Sequence, residues 1–314
     1  MSSLIKSLNK FGFEALQRTN AKNDSQNSIF SPFSSFVSIA MSTSLFKDQT
    51  RVEILNMLQI EGKDSHENAI FKQLRKLIDK ENTDKVLIYN KIWANDVLNF
   101  DSETLNPNSQ ILGIPVEKAG FPQPSIEKIN EEVYKITNGM ISNLIDETNI
   151  ESDISIIIPS AIYFKCDWDS KFVIDPESND LSIKNFTLID GTKIHITMMQ
   201  SLNRILPYFE NDKFHVVSIP YLDKQYEFIL VLPKNETKNG YKDLKKLTFE
   251  RLNNNLLSKL TYQKVDVKIP KFTIESKIQS NQLFQEMGMK TAFSDSAECS
   301  DKNVRYFINS IFQK

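Results

Sequence analysis

Cysteine is almost absent from this sequence: Cys166 and Cys299 are the only two in 314 residues. Two distant thiols make no disulfide framework, and neither has the Cys-x-x-Cys partner that a zinc site would need. There are three histidines. His66-Glu67 opens like the helix motif of zinc proteases, but Ile70 stands where the second histidine belongs. His195 and His215 fall in strand-like segments, where ordinary hydrogen-bonded histidines are expected. The eight glycines form neither a Gly-x-Ser-x-Gly elbow nor a phosphate-binding loop. The reading is therefore not an enzyme, with no catalytic residue, no metal and no cofactor. A net charge of −2 removes the electrostatic footprint of a nucleic-acid partner. Lys72, Arg75, Lys76 and Lys80 lie on one helical face, but Asp79 and Glu81 beside them favour a solvated surface. Apolar runs are all too short to span a membrane. Met1–Lys10 lacks the apolar core of a secretion signal, so the cytoplasm and free thiols are expected.

What the chain does hold is an ordinary globular composition, 40% hydrophobic and 25% charged. No linker, repeat or low-complexity tract marks a boundary, so residues 1–314 are expected to form a single domain. Leu4, Leu8, Phe11 and Leu16 suit an amphipathic first helix. Ile126, Ile129, Val133, Ile136, Met140 and Leu144 share one face of a helix expected over Ser125–Leu144. The run Ile156–Phe164 suits a strand covered on both faces. Ile194, Ile196 and Met198, and later Val265, Val267 and Ile269, alternate with polar neighbours as strands do. Leu252, Leu256, Leu257 and Leu260 mark a further helix. Asn281 opens a short one that Gly288 ends. Long strands with segregated helices indicate an α+β protein.

One stretch is more specific. In Asn27–Met41, Ile29-Phe30 reads as a short buried strand, Ser31 as a helix N-cap and Pro32 as the first helical residue. Phe33, Phe36, Val37, Ala40 and Met41 then form a wide buried face. Ser31, Ser34, Ser35 and Ser38 leave room for another backbone to pass close by. This resembles the opening of the serpin fold, where such a helix underlies the main sheet. Ile129-Asn130, Val133, Thr137-Asn138-Gly139 and Ile141 resemble the helix crossing that sheet. Ala161–Lys165, Trp168 and Phe172 resemble its central strand and the tryptophan at its top. Met198-Met199-Gln200, Ile219-Pro220-Tyr221, Ile229–Pro233, Ile269–Phe272, Leu283, Met287-Gly288-Met289 and Ala292-Phe293-Ser294 continue in the family's order. The resemblance runs from about residue 5 to residue 314.

The resemblance implies a large mixed sheet A with further sheets and surrounding helices. It also implies inhibition of serine or cysteine proteases by a conformational trap. A cleaved reactive loop inserts into a metastable sheet, and serpins are a known instance of such strand addition. The sheet-opening region would be Ser31, Pro32, Ser34, Ser160 and Gln313, with Trp168 at the top of the central strand. In the family, an asparagine and a histidine usually latch the sheet near the buried serines. Ser160 and Gln313 stand at those two positions, so an altered latch is expected. Cys166, where glycine is usual, is expected to be small and buried. The sequence stops within the strand that leads to the reactive loop. A domain incomplete at its C-terminus is therefore expected, with no reactive centre, no inhibition by these residues alone, and self-association through open strand edges. A non-inhibitory serpin-like binding protein and an inactive truncated product are the alternatives.

Overall fold

The structure, a computed structural model, describes residues 3–22, 27–60, 64–81, 83–98, 111–113, 116–122, 125–146, 154–174, 183–235, 238–274 and 280–313. The chain divides into two compact units: Met1–Lys22 with Ser28–Phe164 and Ser276–Lys314, and Asn23–Asn27 with Lys165–Glu275.

The first unit holds helices α1 (Ser3–Lys22), α2 (Pro32–Ser42), α3 (Asp48–Met57) and α4 (Asp64–Glu81), and α5 (Ser125–Ile136). Its strands are β1 (Val86–Asn90), β2 (Ile92–Asn95), β3 (Val116–Ala119) and β4 (Ile156–Phe164). β4 is the centre of a mixed sheet. β1 pairs antiparallel with it over Ser160–Phe164 and β2 over Ile156–Ile157, while β3 runs parallel to β2. β1 and β2 thus follow one another along β4, interrupted at Lys91. The interruption lies opposite Pro159, which has no N–H to give the ladder; only a long 3.5 Å bond from Lys91 N to Pro159 O remains.

Side chains alternate across this sheet as strand geometry demands. Ile92, Ala94, Ile156 and Ile158 face a core shared with Phe11, Phe36, Val37 and Ala40 of α1 and α2. Tyr89, Trp93, Ile157 and Ala161 face the opposite core with Ile126, Ile129 and Val133 of α5. The sheet is therefore sandwiched between α2 and α5.

A polar clip also holds α5. Lys91 Nζ bridges Glu132 Oε2 of α5 at 2.7 Å and Glu117 Oε2 of β3 at 3.1 Å. Lys128 pairs with Glu117 from the other side, and Tyr89 OH donates to Glu132 Oε2 at 2.9 Å. Burial pushes the Glu117 carboxyl up, but hydrogen bonds from Lys128 and Lys91 outweigh it and hold the group below its ordinary value. Burial likewise acts to lower Lys91, and the bonds to Glu132 and Glu117 raise it above its ordinary value. The glutamate's contribution to stability is therefore present above the ordinary carboxylate range and lost as pH falls through its lowered folded value. The lysine's is full below its ordinary value and lost as pH rises through the raised one. The melting-temperature gap between wild type and Lys91→Met is expected to be flat over roughly pH 6–9 and to close towards both extremes. A gap that varies within that plateau, followed by circular dichroism, would contradict this.

Several sequence expectations are corrected here. Residues 27–30 form no strand, and Ile29 is 57% exposed. The α5 pattern does not continue to Leu144. Asn138 and Gly139 take left-handed backbone (φ 50° and 79°), which ends the helix and leaves Met140 72% exposed. Phe164 ends β4 at 41% exposed. The fully buried tryptophan is Trp93. Arg75 is committed to Asp79 and to the Leu112 carbonyl, as a structural residue would be.

The second unit carries β5 (Ile183–Thr187), β6 (Lys193–Glu210), β7 (Phe214–Pro220), β8 (Glu227–Pro233) and β9 (Thr261–Pro270). Helices α6 (Lys238–Lys245) and α7 (Phe249–Asn255) accompany them. The antiparallel order is β5–β6–β7–β8, with β9 also on β6. The leucine-rich segment forms α7 only to Asn255, then a short 3-10 turn at Leu257–Lys259. The last elements, α8 (Ser280–Glu286) and β10 (Ile308–Gln313), return to the first unit.

Candidate functional site: a latch across the central strands

β10 lies parallel to β4, on the side away from β1, with Gln313 opposite Ser160. Ser160 in turn is opposite Asn90 of β1. Gln313, Ser160 and Asn90 thus form a row across three strands, directly over the serine face of α2. That face exists because of local sequence chemistry. Ser31 is extended (φ −99°, ψ 100°) and its hydroxyl accepts from Ser34 N, while Pro32 starts the helix where a missing N–H costs nothing. Ser34, Ser35 and Ser38 then sit buried on the side facing the sheet. Their hydroxyls would be costly to bury unpaired, and each has a partner.

Ser34 Oγ bonds Ser160 Oγ, which also lies 2.6 Å from Asn90 Oδ1 and 3.3 Å from Ser34 O. Ser38 Oγ donates to Ser34 O at 3.0 Å and lies 3.2 Å from Asn90 Oδ1. Gln313 Nε2 donates to Ser31 O at 3.1 Å and to Ser35 Oγ. The sequence-predicted Ser31, Pro32, Ser34, Ser160 and Gln313 are therefore brought together. Asn90, Ser35 and Ser38 complete the set. Asn90 was the residue sequence reasoning missed. Its signal is a carboxamide inside the otherwise apolar Val86–Trp93 stretch, interrupted there only by Lys91.

The network is not fully satisfied. Asn90 Nδ2 and Gln313 Oε1 are buried with no hydrogen-bond partner among the described residues. Each such atom costs about 1–3 kcal/mol.

Trp168 is not part of this cluster. It lies in the second unit, partly buried, stacked on Tyr221 (4.6 Å between centroids, 10°) and edge-on to Phe172 and Phe228. Cys166 is partly exposed, whereas burial was expected, and Cys299 is buried. Among the described residues no group of three or more ligating side chains could hold a metal ion. No helix among them is long and apolar enough to cross a membrane.

A family model described as "Serpin (serine protease inhibitor)" matches residues 6–314. The chain belongs to the serpin family. Human Serpin B3 is 29% identical over 321 residues, covering 96% of this chain and 81% of its own length. A serpin-like protein of Thermococcus kodakarensis is 28% identical, over 92% of this chain and 66% of its own length. Mouse leukocyte elastase inhibitor A is 26% identical, over 94% and 79%. Among solved structures, uncleaved ovalbumin superposes with a TM-score of 0.85 at 20% identity, covering 99% of this chain and 88% of its own. A tumour-suppressing serpin gives the same score at 20% identity, over 99% and 88%. This likeness shows the serpin fold, an α+β architecture. Membership places the chain with protease-inhibitor-type proteins rather than with catalysts.

Proposed function

We propose that residues 1–314 are the frame of a conformational trap for serine-type, or cysteine-type, endopeptidases. The carrying observation is the Gln313–Ser160–Asn90 row on the serine face of α2. It ties β4 and β10 separately to α2 on the two sides of their seam, through hydroxyl and carboxamide bonds, and leaves two buried polar atoms unpaired. A sheet held by an incompletely satisfied network gains by parting to admit a new strand, which adds a backbone ladder and buries apolar area. The name of mouse leukocyte elastase inhibitor A, a serine-protease inhibitor by family, supports this class of partner. The cytoplasm is the proposed compartment, supported by two free thiols.

Two polypeptides test the reading. One is residues 1–314 alone; the other continues them through a small-residue hinge and a loop carrying a cleavable residue. Both are incubated with trypsin-, chymotrypsin- and elastase-like enzymes and with a papain-like one. An SDS-resistant adduct is expected from the loop-bearing chain and none from residues 1–314. The absence of any adduct from the loop-bearing chain would overturn the trap. We also propose that residues 1–314 self-associate through β8, the last strand of its sheet among those described, where Ile229 and Leu232 are 39% and 62% exposed. Light scattering on the same sample reads that association.

A further inference from the structure

We propose that Asn309 and Asn281 form a second pin on the β4–β10 seam, so that parting of these strands is restrained at both ends and not by the serine row alone. This rests on the reading that the sheet parts there. The register runs Ile308↔Ile156 and then Ser310↔Ile157 through to Gln313↔Ser160, with an irregularity between Ile308 and Ser310. Asn309 is the extra residue of a bulge. Bulges leave backbone groups without ladder partners, and in a buried seam such groups must be satisfied some other way.

Two carboxamides take them. Asn309 Oδ1 accepts from Ser155 N at 2.7 Å and from Ile156 N at 3.2 Å, at the start of β4. Asn281, in the first turn of α8, donates from Nδ2 to Asn309 O at 2.6 Å and accepts at Oδ1 from Ile311 N at 3.0 Å. A carbonyl and the N–H two residues on, both bound by one amide, are the groups a neighbouring parallel strand would engage. The Asn281 carboxamide occupies that place on β10. At the other end stand Gln313, Ser160 and the α2 serines. Between the two pins lie only Ser310–Phe312 against Ile157–Pro159, and Pro159 brings no N–H. The middle of the seam is short and poor in hydrogen bonds; its ends are polar and specific.

The donor and acceptor roles give a chemical signature. Asn309 accepts both of the bonds described above from β4, a role that an Asp carboxylate can keep. Asn281 must donate and accept at once, so Asp cannot. Hydrogen exchange by mass spectrometry on residues 1–314 reads the pin without any loop or protease. In Asn309→Ala and Asn281→Ala, segments 155–160 and 308–313 are expected to exchange about tenfold faster, with α5 and β1 unchanged. Asn309→Asp should stay within about twofold of wild type, while Asn281→Asp should behave like Asn281→Ala. Should an alanine variant open everywhere, the two aspartate variants decide. Equal behaviour of Asn309→Asp and Asn281→Asp, or changes in Asn281→Asp spread evenly over the unit, would overturn the pin. A correct exchange pattern combined with no adduct from loop-bearing chains would overturn the trapping reading and leave the pin standing.

Discussion

Trp93→Ala is expected to cost about 3–5 kcal/mol of unfolding free energy, the range for emptying a fully buried large aromatic site. Trp93 is 0% exposed in the core between the sheet and α5. Its Nε1 donates to Tyr89 OH at 3.3 Å, and its ring lies 5.6 Å from Lys91 Nζ and 5.2 Å from Lys128 Nζ. Removing it empties the space beneath α5 and leaves the Tyr89–Glu132–Lys91 clip without its apolar floor. Trp93→Phe keeps most of the volume and should lose much less. Urea denaturation followed by far-ultraviolet circular dichroism measures both. A loss below about 1 kcal/mol for the alanine variant would show that the site collapses freely and that α5 does not depend on it.

Ser34→Leu is expected to act on the opposite face and to be nearly as damaging. Ser34 is fully buried and its hydroxyl meets that of Ser160 where α2 packs on β4. A leucine there must push the helix from the strand, an overpacking cost of about 1–3 kcal/mol. It also removes one partner from Ser160, whose hydroxyl keeps its 2.6 Å bond to Asn90 Oδ1, so the lost hydrogen bond adds about 0.5–1.5 kcal/mol. Ser34→Ala separates the two terms, since it deletes the hydroxyl without adding bulk. Denaturation midpoints of the two variants give the comparison. If Ser34→Leu proves no worse than Ser34→Ala, the helix and strand have slack between them and the serine lining is not required by proximity.

The elements that could be read in the sequence were those fixed by local rules. Ser31-Pro32 placed the start of α2, the Ile156–Phe164 run gave β4, and Gly288 ended the short helix after Asn281, each through chemistry within a few residues. The latch was legible in part, because the family pattern pointed to Ser160 and Gln313. Asn90 was not, because a single carboxamide in a strand has no meaning until register sets it beside Ser160. Trp93 was passed over for the same reason. Its burial comes from α5 lying across the sheet, and nothing in Val86–Asn95 alone says which face is covered. Asn309 reads as a plain strand residue until pairing with β4 shows it to be the bulge. The mis-set end of α5 had a local cause: Asn138-Gly139 stops the helix, yet the apolar spacing continues through Met140 and Leu144.

Cys299 gives the molecule a built-in clock. Its Sγ receives Tyr306 N–H at 3.3 Å and sits 3.2 Å from Tyr306 O, two residues before β10 begins. Burial pushes the thiol's pKa up, only partly offset by the Tyr306 backbone bond, so little thiolate is present in the closed state. Cys166 is partly exposed and should consume an alkylating reagent first. After it is blocked, the slow labelling of Cys299 counts the moments when the approach to β10 comes loose. Loosening of the segment that leads into β10 can thus be timed with the wild-type sequence, without introducing a probe.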